Sequence, residues 1–66
     1  MQVRLNGQPR ELKEDSSLPA LLSELRLSAE HVVVEYNGEV LAADRLDSIV
    51  MRPGDTLELV HLVGGG

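Results

Sequence analysis

The spacing of hydrophobic and polar residues changes its period along the chain, and each period predicts one kind of element. Apolar and polar residues alternate over residues 1–5, which is typical of a half-buried β-strand. The Asn6-Gly7 pair that follows tolerates the positive φ of a tight hairpin turn. Residues 8–12 are therefore predicted to return as a second strand. Since this strand contains Pro9, which has no backbone N–H to donate, it is expected at a sheet edge.

A helical period follows the first hairpin. Leucines stand at positions 18, 21, 22 and 25, the spacing that places them on one face of an amphipathic helix. Ser16 or Ser17 is suited to accept a hydrogen bond from a free N–H at the start of this helix, and Pro19 is tolerated in its first turn. A helix of two to three turns is unstable alone in water, so its leucines are expected to pack on a sheet.

The second half of the chain consists mainly of predicted strands. They cover residues 32–36, 39–41, 49–51 and 56–62, with a short helical turn in the connection 42–48. A second Asn-Gly pair, Asn37-Gly38, predicts a tight turn between the first two of these strands. Pro53 and Gly54 have the backbone preferences of a turn before the last strand.

This order of elements predicts an α+β fold with one helix packed across one face of a mixed sheet of four to five strands. Because the helical crossover from the first hairpin favours a right-handed connection, a later strand is expected to lie parallel to the first. A sheet with its first and last strands adjacent at the centre is a β-grasp. One domain over residues 1–63 is expected, followed by a flexible glycine tail at 64–66. The predicted core comprises Val3, Leu5, Leu18, Leu21, Leu22, Leu25, Val32, Val34, Leu57 and Leu59.

Charge and composition exclude several classes of function. The 66 residues carry eleven acidic and six basic side chains, and Tyr36 is the only aromatic residue. Nucleic-acid binding normally needs a basic face and aromatic platforms, so it is not expected. No apolar run approaches the ~20 residues that cross a bilayer, and no signal region begins the sequence, so a cytoplasmic protein is predicted. A net charge of −5 favours a partner with a basic docking surface.

Catalysis by this chain is not expected either. The sequence has no cysteine, and none of its serines stands in a Gly-x-Ser-x-Gly context. His31 and His61 have no evident acid–base partner, and two histidines without thiols are an improbable zinc site. A domain with one helix also has little room for a catalytic pocket. The prediction is a protein that is not an enzyme and that holds no metal.

The C-terminal residues provide the candidate function. Glycine contributes no packing, but it lets a backbone pass through a narrow channel, so Gly64 and Gly65 are suited to threading into a partner's active site and Gly66 to presenting its carboxylate there. If Leu57 and Leu59 face the helix, an exposed apolar strip on the opposite face is expected to lead to the glycines and to dock a partner. It comprises Val33, Val60, Leu62 and Val63. Arg4 and Glu58 are expected to pair on that face. The alternatives are a frayed tail without function and apolar residues covered by loops.

Taken in order, these segments resemble the ubiquitin-like sulfur-carrier proteins, and most closely the ThiS family of thiamine biosynthesis, over essentially the whole chain. The motifs that carry the resemblance are Asn6-Gly7, Leu18-x-x-Leu21-Leu22-x-x-Leu25, Asn37-Gly38-Glu39, Pro53-Gly54-Asp55 and Leu62-Val63-Gly64-Gly65-Gly66. The resemblance implies that a ubiquitin-activating-like adenylyltransferase, using its own ATP and Mg²⁺, adenylates the Gly66 carboxylate. Sulfur from a persulfide-bearing donor then gives a thiocarboxylate, which a thiazole synthase consumes. The chain itself would bind no cofactor and would be a monomer when free.

Other functions remain open at this stage. Relatives within the same superfamily deliver sulfur to molybdopterin, to tRNA thiolation or to cysteine synthesis. A ubiquitin-like modifier would use Gly66 to form an isopeptide bond with a lysine. A plain interaction domain would not need the glycines at all. The sequence does not identify the sulfur donor or the pathway that takes the sulfur.

Overall fold

A computed structural model of the protein describes residues 1–62. Their strands and single α-helix are β1 (Gln2–Leu5), β2 (Gln8–Glu11), α1 (Leu18–Glu24), β3 (Val32–Tyr36), β4 (Glu39–Val40) and β5 (Thr56–His61). Two short 3₁₀ helices, Ala29–His31 and Ala43–Ser48, lie in the connections. Val63 and the glycines at 64–66, predicted to end the domain and to form its tail, lie outside the described residues.

The five strands form one mixed sheet in the order β2-β1-β5-β3-β4. β1 and β5 are parallel, and the other neighbouring strands are antiparallel. The first and last strands are therefore adjacent and β5 is central, as the topology argument predicts. The strand that contains Pro9 lies at an edge, where the missing N–H breaks no ladder hydrogen bond. This is the predicted β-grasp arrangement.

The local signals in the sequence set the turns and the start of the helix. Asn6 and Asn37 both have positive φ, at 51° and 49°, and each is followed by a glycine with positive φ, as a type I′ hairpin turn requires. The Ser17 hydroxyl accepts a hydrogen bond from the Ala20 N–H at 3.1 Å and caps the helix. Pro19 lies in the first turn of α1, as predicted.

The core lies between α1 and the inner face of the sheet, and the connections contribute to it. Its buried hydrophobic residues are Val3, Leu12, Leu18, Leu21, Leu22, Val32, Val34, Leu41, Leu46, Met51 and Leu57. Leu5, Leu25 and Leu59, predicted as core, are only partly buried and pack against it. The residues that the prediction omitted follow strands or lie in connections, where the sequence shows no period to indicate which side chains point inward.

The strand predicted at residues 49–51 does not form. Instead, a single antiparallel bridge joins Val50 to Ser17. The Leu18 N–H donates to the Ile49 carbonyl at 2.9 Å, and the Met51 N–H donates to the Ser16 carbonyl at 2.7 Å. Since an N–H in the first turn of a helix has no partner within the helix, this short segment holds the start of α1 rather than extending the sheet.

Candidate functional site

The candidate site is the side of the sheet that faces away from α1, called here the outer face. On β5, Leu57 is fully buried toward the helix, whereas Val60 on the other side is 58% exposed. Val33 on β3 lies directly opposite Val60 and is 38% exposed. Leu62, the last described residue, is 47% exposed. Two apolar residues of neighbouring strands thus lie side by side, close to where the chain continues toward Gly66.

The strand register shows which further residues of the outer face lie next to the predicted docking residues. Val40 on β4 lies opposite Glu35 and is 64% exposed. Glu35 in turn lies directly opposite Glu58 on β5. The alternation of each strand showed which side chains share a face, but only the strand register shows which of them are neighbours.

The expected ion pair between Arg4 and Glu58 is absent from the described residues. The parallel register aligns Arg4 with Thr56, two residues before Glu58 on the same strand. The salt bridges within residues 1–62 join the terminal amine of Met1 to Glu11 and Glu14, and Arg10 to Glu24. Neither Glu35 nor Glu58 takes part in one of them.

A buried carboxylate fixes the start of β5. Asp55 is 8% exposed, and its Oδ2 accepts hydrogen bonds from the Tyr36 hydroxyl and from the Arg52 N–H. The Asn37 side-chain amide donates to the other oxygen, Oδ1, at 3.2 Å. Burial by itself raises the pKa of the Asp55 carboxyl, but these hydrogen bonds and the Arg52 charge outweigh it and hold the pKa below its ordinary value.

The partner of this carboxylate is affected in the opposite direction. Burial, together with the hydrogen bond to Asp55 and the negative charge there, raises the pKa of Tyr36 to about 12. The phenol therefore stays protonated and keeps donating. This network joins the turn before β5 to the end of β3, and its role is structural.

The two histidines and a cleft beside α1 form no catalytic arrangement within residues 1–62. His31 and His61 are both exposed, and residues 1–62 contain no group of three metal-ligating side chains that could hold an ion. An open cleft of about 210 Å³ between α1 and the second 3₁₀ helix has Asp47 as its single titratable side chain. Its other lining residues are Pro19, Leu22, Ser23, Leu27, Ala29 and Leu46. No described helix has the length and apolar character to cross a membrane.

Within residues 1–62, the strand order, the one α-helix packed on the sheet and the exposed apolar residues near the end of the central strand define a ubiquitin-like β-grasp protein. Comparison with known proteins identifies the group within this class. The ThiS family model matches residues 3–66, and the chain belongs to the ThiS family. A crystal structure of the thiamine biosynthesis protein ThiS from Geobacter metallireducens superposes with a TM-score of 0.83 at 38% identity, covering 100% of both chains.

Two curated relatives differ greatly in length. The sulfur carrier protein ThiS of Bacillus subtilis is 34% identical over 65 residues, covering 97% of this chain and 98% of the relative. A thiazole synthase of Magnetococcus marinus is 35% identical over 66 residues, which is 100% of this chain but 20% of the synthase. The chain thus spans about a fifth of the synthase and nearly the whole of the sulfur carrier.

Proposed function

We propose that the chain is a sulfur carrier of thiamine biosynthesis that holds sulfur as a thiocarboxylate on Gly66. The observation that carries this proposal is the match to the ThiS family through Gly66, combined with a central strand whose exposed apolar end leads toward Gly64, Gly65 and Gly66. A relative of almost the same length is a sulfur carrier protein. These features together favour a carrier over an interaction domain without terminal chemistry.

The proposed chemistry begins with activation of a terminal carboxylate, which is a poor acyl donor because oxide is a poor leaving group. A ubiquitin-activating-like adenylyltransferase, with its own ATP and Mg²⁺, would let the Gly66 carboxylate attack the α-phosphorus and release pyrophosphate. Hydrosulfide would then displace AMP and leave the thiocarboxylate. With a persulfide-bearing donor, an acyl disulfide would form first, and a thiol would reduce its S–S bond. The carrier itself would need no cofactor and would perform no catalysis.

Docking in this proposal uses the apolar part of the outer face. Val33, Val60 and Leu62 are exposed, and Val63 continues the chain from them. Burying such side chains against a partner releases water from apolar surface, which favours association. The slender backbone of Gly64 and Gly65 would then enter the partner's active site, because glycine allows the closest approach of a main chain.

The proposed sulfur acceptor is a thiazole synthase. The Magnetococcus marinus thiazole synthase contains a stretch that is similar to the whole of this chain. In that protein a carrier-like sequence and the rest of the synthase therefore belong to one polypeptide. A separate carrier and a separate synthase would have to bind each other to bring the same two parts together. Because activation consumes ATP, the proposed location is the cytoplasm.

The absence of cysteine allows a direct test. The protein is incubated with ATP, Mg²⁺, sulfide and the adenylyltransferase of its source organism, alkylated with a thiol reagent and examined by intact mass. We expect one adduct, since a terminal thiocarboxylate is the one site on the carrier for this reagent. No adduct should form without ATP, with Gly65 and Gly66 both deleted, or with one alanine appended after Gly66. An unmodified carrier beside an adenylyltransferase that is active on another substrate would refute the proposal. High-mass conjugates would indicate a modifier instead.

A further inference from the structure

We infer that the outer face binds a basic protein surface in which an arginine or lysine, surrounded by apolar side chains, contacts Glu35 and Glu58 together. This inference rests on the proposed function, since the partner is the adenylyltransferase that activates Gly66. It adds the chemical character of the partner's surface and the position of its cation.

The two carboxylates form an unfavourable pair in the free protein. Glu35 and Glu58 lie directly opposite each other on β3 and β5, and both are exposed. The Cβ atoms of such a cross-strand pair are about 4.5–5.5 Å apart, and like charges in this position destabilise a sheet. No salt bridge within residues 1–62 involves either of them. A cation supplied by a partner would remove the repulsion and gain two charge-assisted hydrogen bonds.

Apolar side chains lie on two sides of this acidic pair. Val33 and Val60 form the next outward-facing row of the β3–β5 ladder in the direction of Leu62. On the neighbouring strand β4, Val40 lies directly opposite Glu35. A charged group framed by apolar residues that exclude water is the arrangement in which an interfacial ion pair becomes strong. An arginine matches it best, because its planar fork can contact two carboxylates while its stem packs on valines.

Charge also decides between a basic partner and a second copy of this chain. In a symmetric dimer the same face of each copy would meet, and four carboxylates would converge between two chains that each carry a net charge of −5. A basic surface is instead attracted over a distance by the same charges.

The sequence separation also gives the position of the bound cation. Glu58 precedes Leu62 by four residues. At about 3.3 Å per extended residue, the bound cation would lie roughly 13 Å from Leu62.

The test compares two double variants that lose the same charge. Glu35→Gln/Glu58→Gln removes the opposed pair, and Asp44→Asn/Asp47→Asn removes two exposed carboxylates from the second 3₁₀ helix. Pyrophosphate release by the adenylyltransferase of the source organism is measured against carrier concentration at several ionic strengths. For Glu35→Gln/Glu58→Gln, the glutamine variant, we expect KM to rise roughly tenfold. A matched charge patch speeds association by at least about tenfold, and the variant loses this gain. Its kcat should be unchanged and its KM less sensitive to salt, whereas the asparagine variant should behave like the parent.

Stability and self-association complete the experiment. The glutamine variant should unfold at a temperature no lower than the parent, because the substitution relieves repulsion and breaks no described contact. Equal KM values for the two double variants would overturn the inference while leaving the proposed function intact. A parent dimer that Val60→Asp dissociates would assign the face to a second copy and would also overturn it. A parent that supports no pyrophosphate release would overturn the proposed function and this inference with it.

Discussion

Asn6 and Asn37 hold opposite sides of the central strand β5 in the same way. The Asn6 N–H donates to the Leu57 carbonyl, and the Asn6 Oδ1 accepts from the Leu59 N–H, both at 2.8 Å. On the other side, the Asn37 N–H donates to the Thr56 carbonyl and the Asn37 Oδ1 accepts from the Thr56 N–H, again at 2.8 Å. Each asparagine begins a hairpin turn at positive φ. The residues that reverse the two hairpins thus also anchor the strand that leads to Gly66.

The side-chain hydrogen bond of Asn6 can be separated from its turn conformation by substitution. Asn6→Gly keeps the positive φ but leaves the Leu59 N–H without this acceptor, so it should lower the free energy of unfolding by about 1–2 kcal/mol. Asn6→Asp keeps an Oδ acceptor and should retain most of the stability. Urea unfolding of the three proteins measures the difference. If Asn6→Gly matched the parent and Asn6→Asp did not, the anchoring role of the side chain would be wrong.

The Asp55 network predicts a loss of stability in acid. Because the pKa of Asp55 is lower in the folded protein than its ordinary value of 3.8, its contribution is complete above that value and is lost as the pH falls through the folded pKa. The contribution of Tyr36 to stability depends on pH in the opposite direction. Because its pKa is raised to about 12, this contribution is complete below pH ~10 and is lost as the pH rises toward 12.

Tyr36→Phe tests this network. It removes the hydroxyl that donates to the buried Asp55 carboxylate and should cost about 1–3 kcal/mol at neutral pH. It should also flatten the acid limb of the stability curve, because one of the hydrogen bonds that lower the Asp55 pKa is gone. Urea midpoints between pH 2 and 7 would show both effects. If the urea midpoints of parent and variant changed in parallel below pH 5, Tyr36 would not be a group that lowers the Asp55 pKa.

Leu22 is expected to be a major contributor to the core. It is 3% exposed and lies on the buried face of α1, so Leu22→Ala should lower stability by about 2–5 kcal/mol through lost burial and the cavity left behind. This is a large fraction of the stability available to a small domain. Leu62→Ala, at an exposed position of the same residue type, should change the thermal midpoint little. Equal midpoints for the two variants would remove Leu22 from the core.

Val60 is expected to affect partner binding and not folding. Val60→Asp places a charge in the middle of the proposed apolar docking surface, where desolvation on binding is costly. We expect the KM of adenylation to rise at least tenfold, which corresponds to a cost of about 1.4 kcal/mol or more. Val50→Asp is the matched control, since Val50 is also exposed, at 46%, but lies outside the five-stranded sheet. Circular dichroism should show that both variants are folded. A similar KM for the two would exclude Val60 from the docking surface.

Local patterns in the sequence determined most elements of the fold. The Asn-Gly pairs gave both hairpin turns, the leucine spacing gave α1, and the position of Pro9 gave an edge strand. These signals are readable because each depends on the conformational preferences of a few neighbouring residues. The alternation of β3 and β5 also showed that Val33 and Val60 share a face away from the helix.

The tertiary structure decided which distant residues meet. The buried positions of Leu46 and Met51 depend on how irregular connections fold back over α1, for which a sequence has no periodic signal. The missing Arg4–Glu58 pair and the opposed Glu35–Glu58 pair both follow from strand register, which is set by packing and turn geometry together. Alternation assigns a side chain to a face, but only the aligned strands determine its neighbours. On the outer face this alignment places exposed valines next to the Glu35–Glu58 pair.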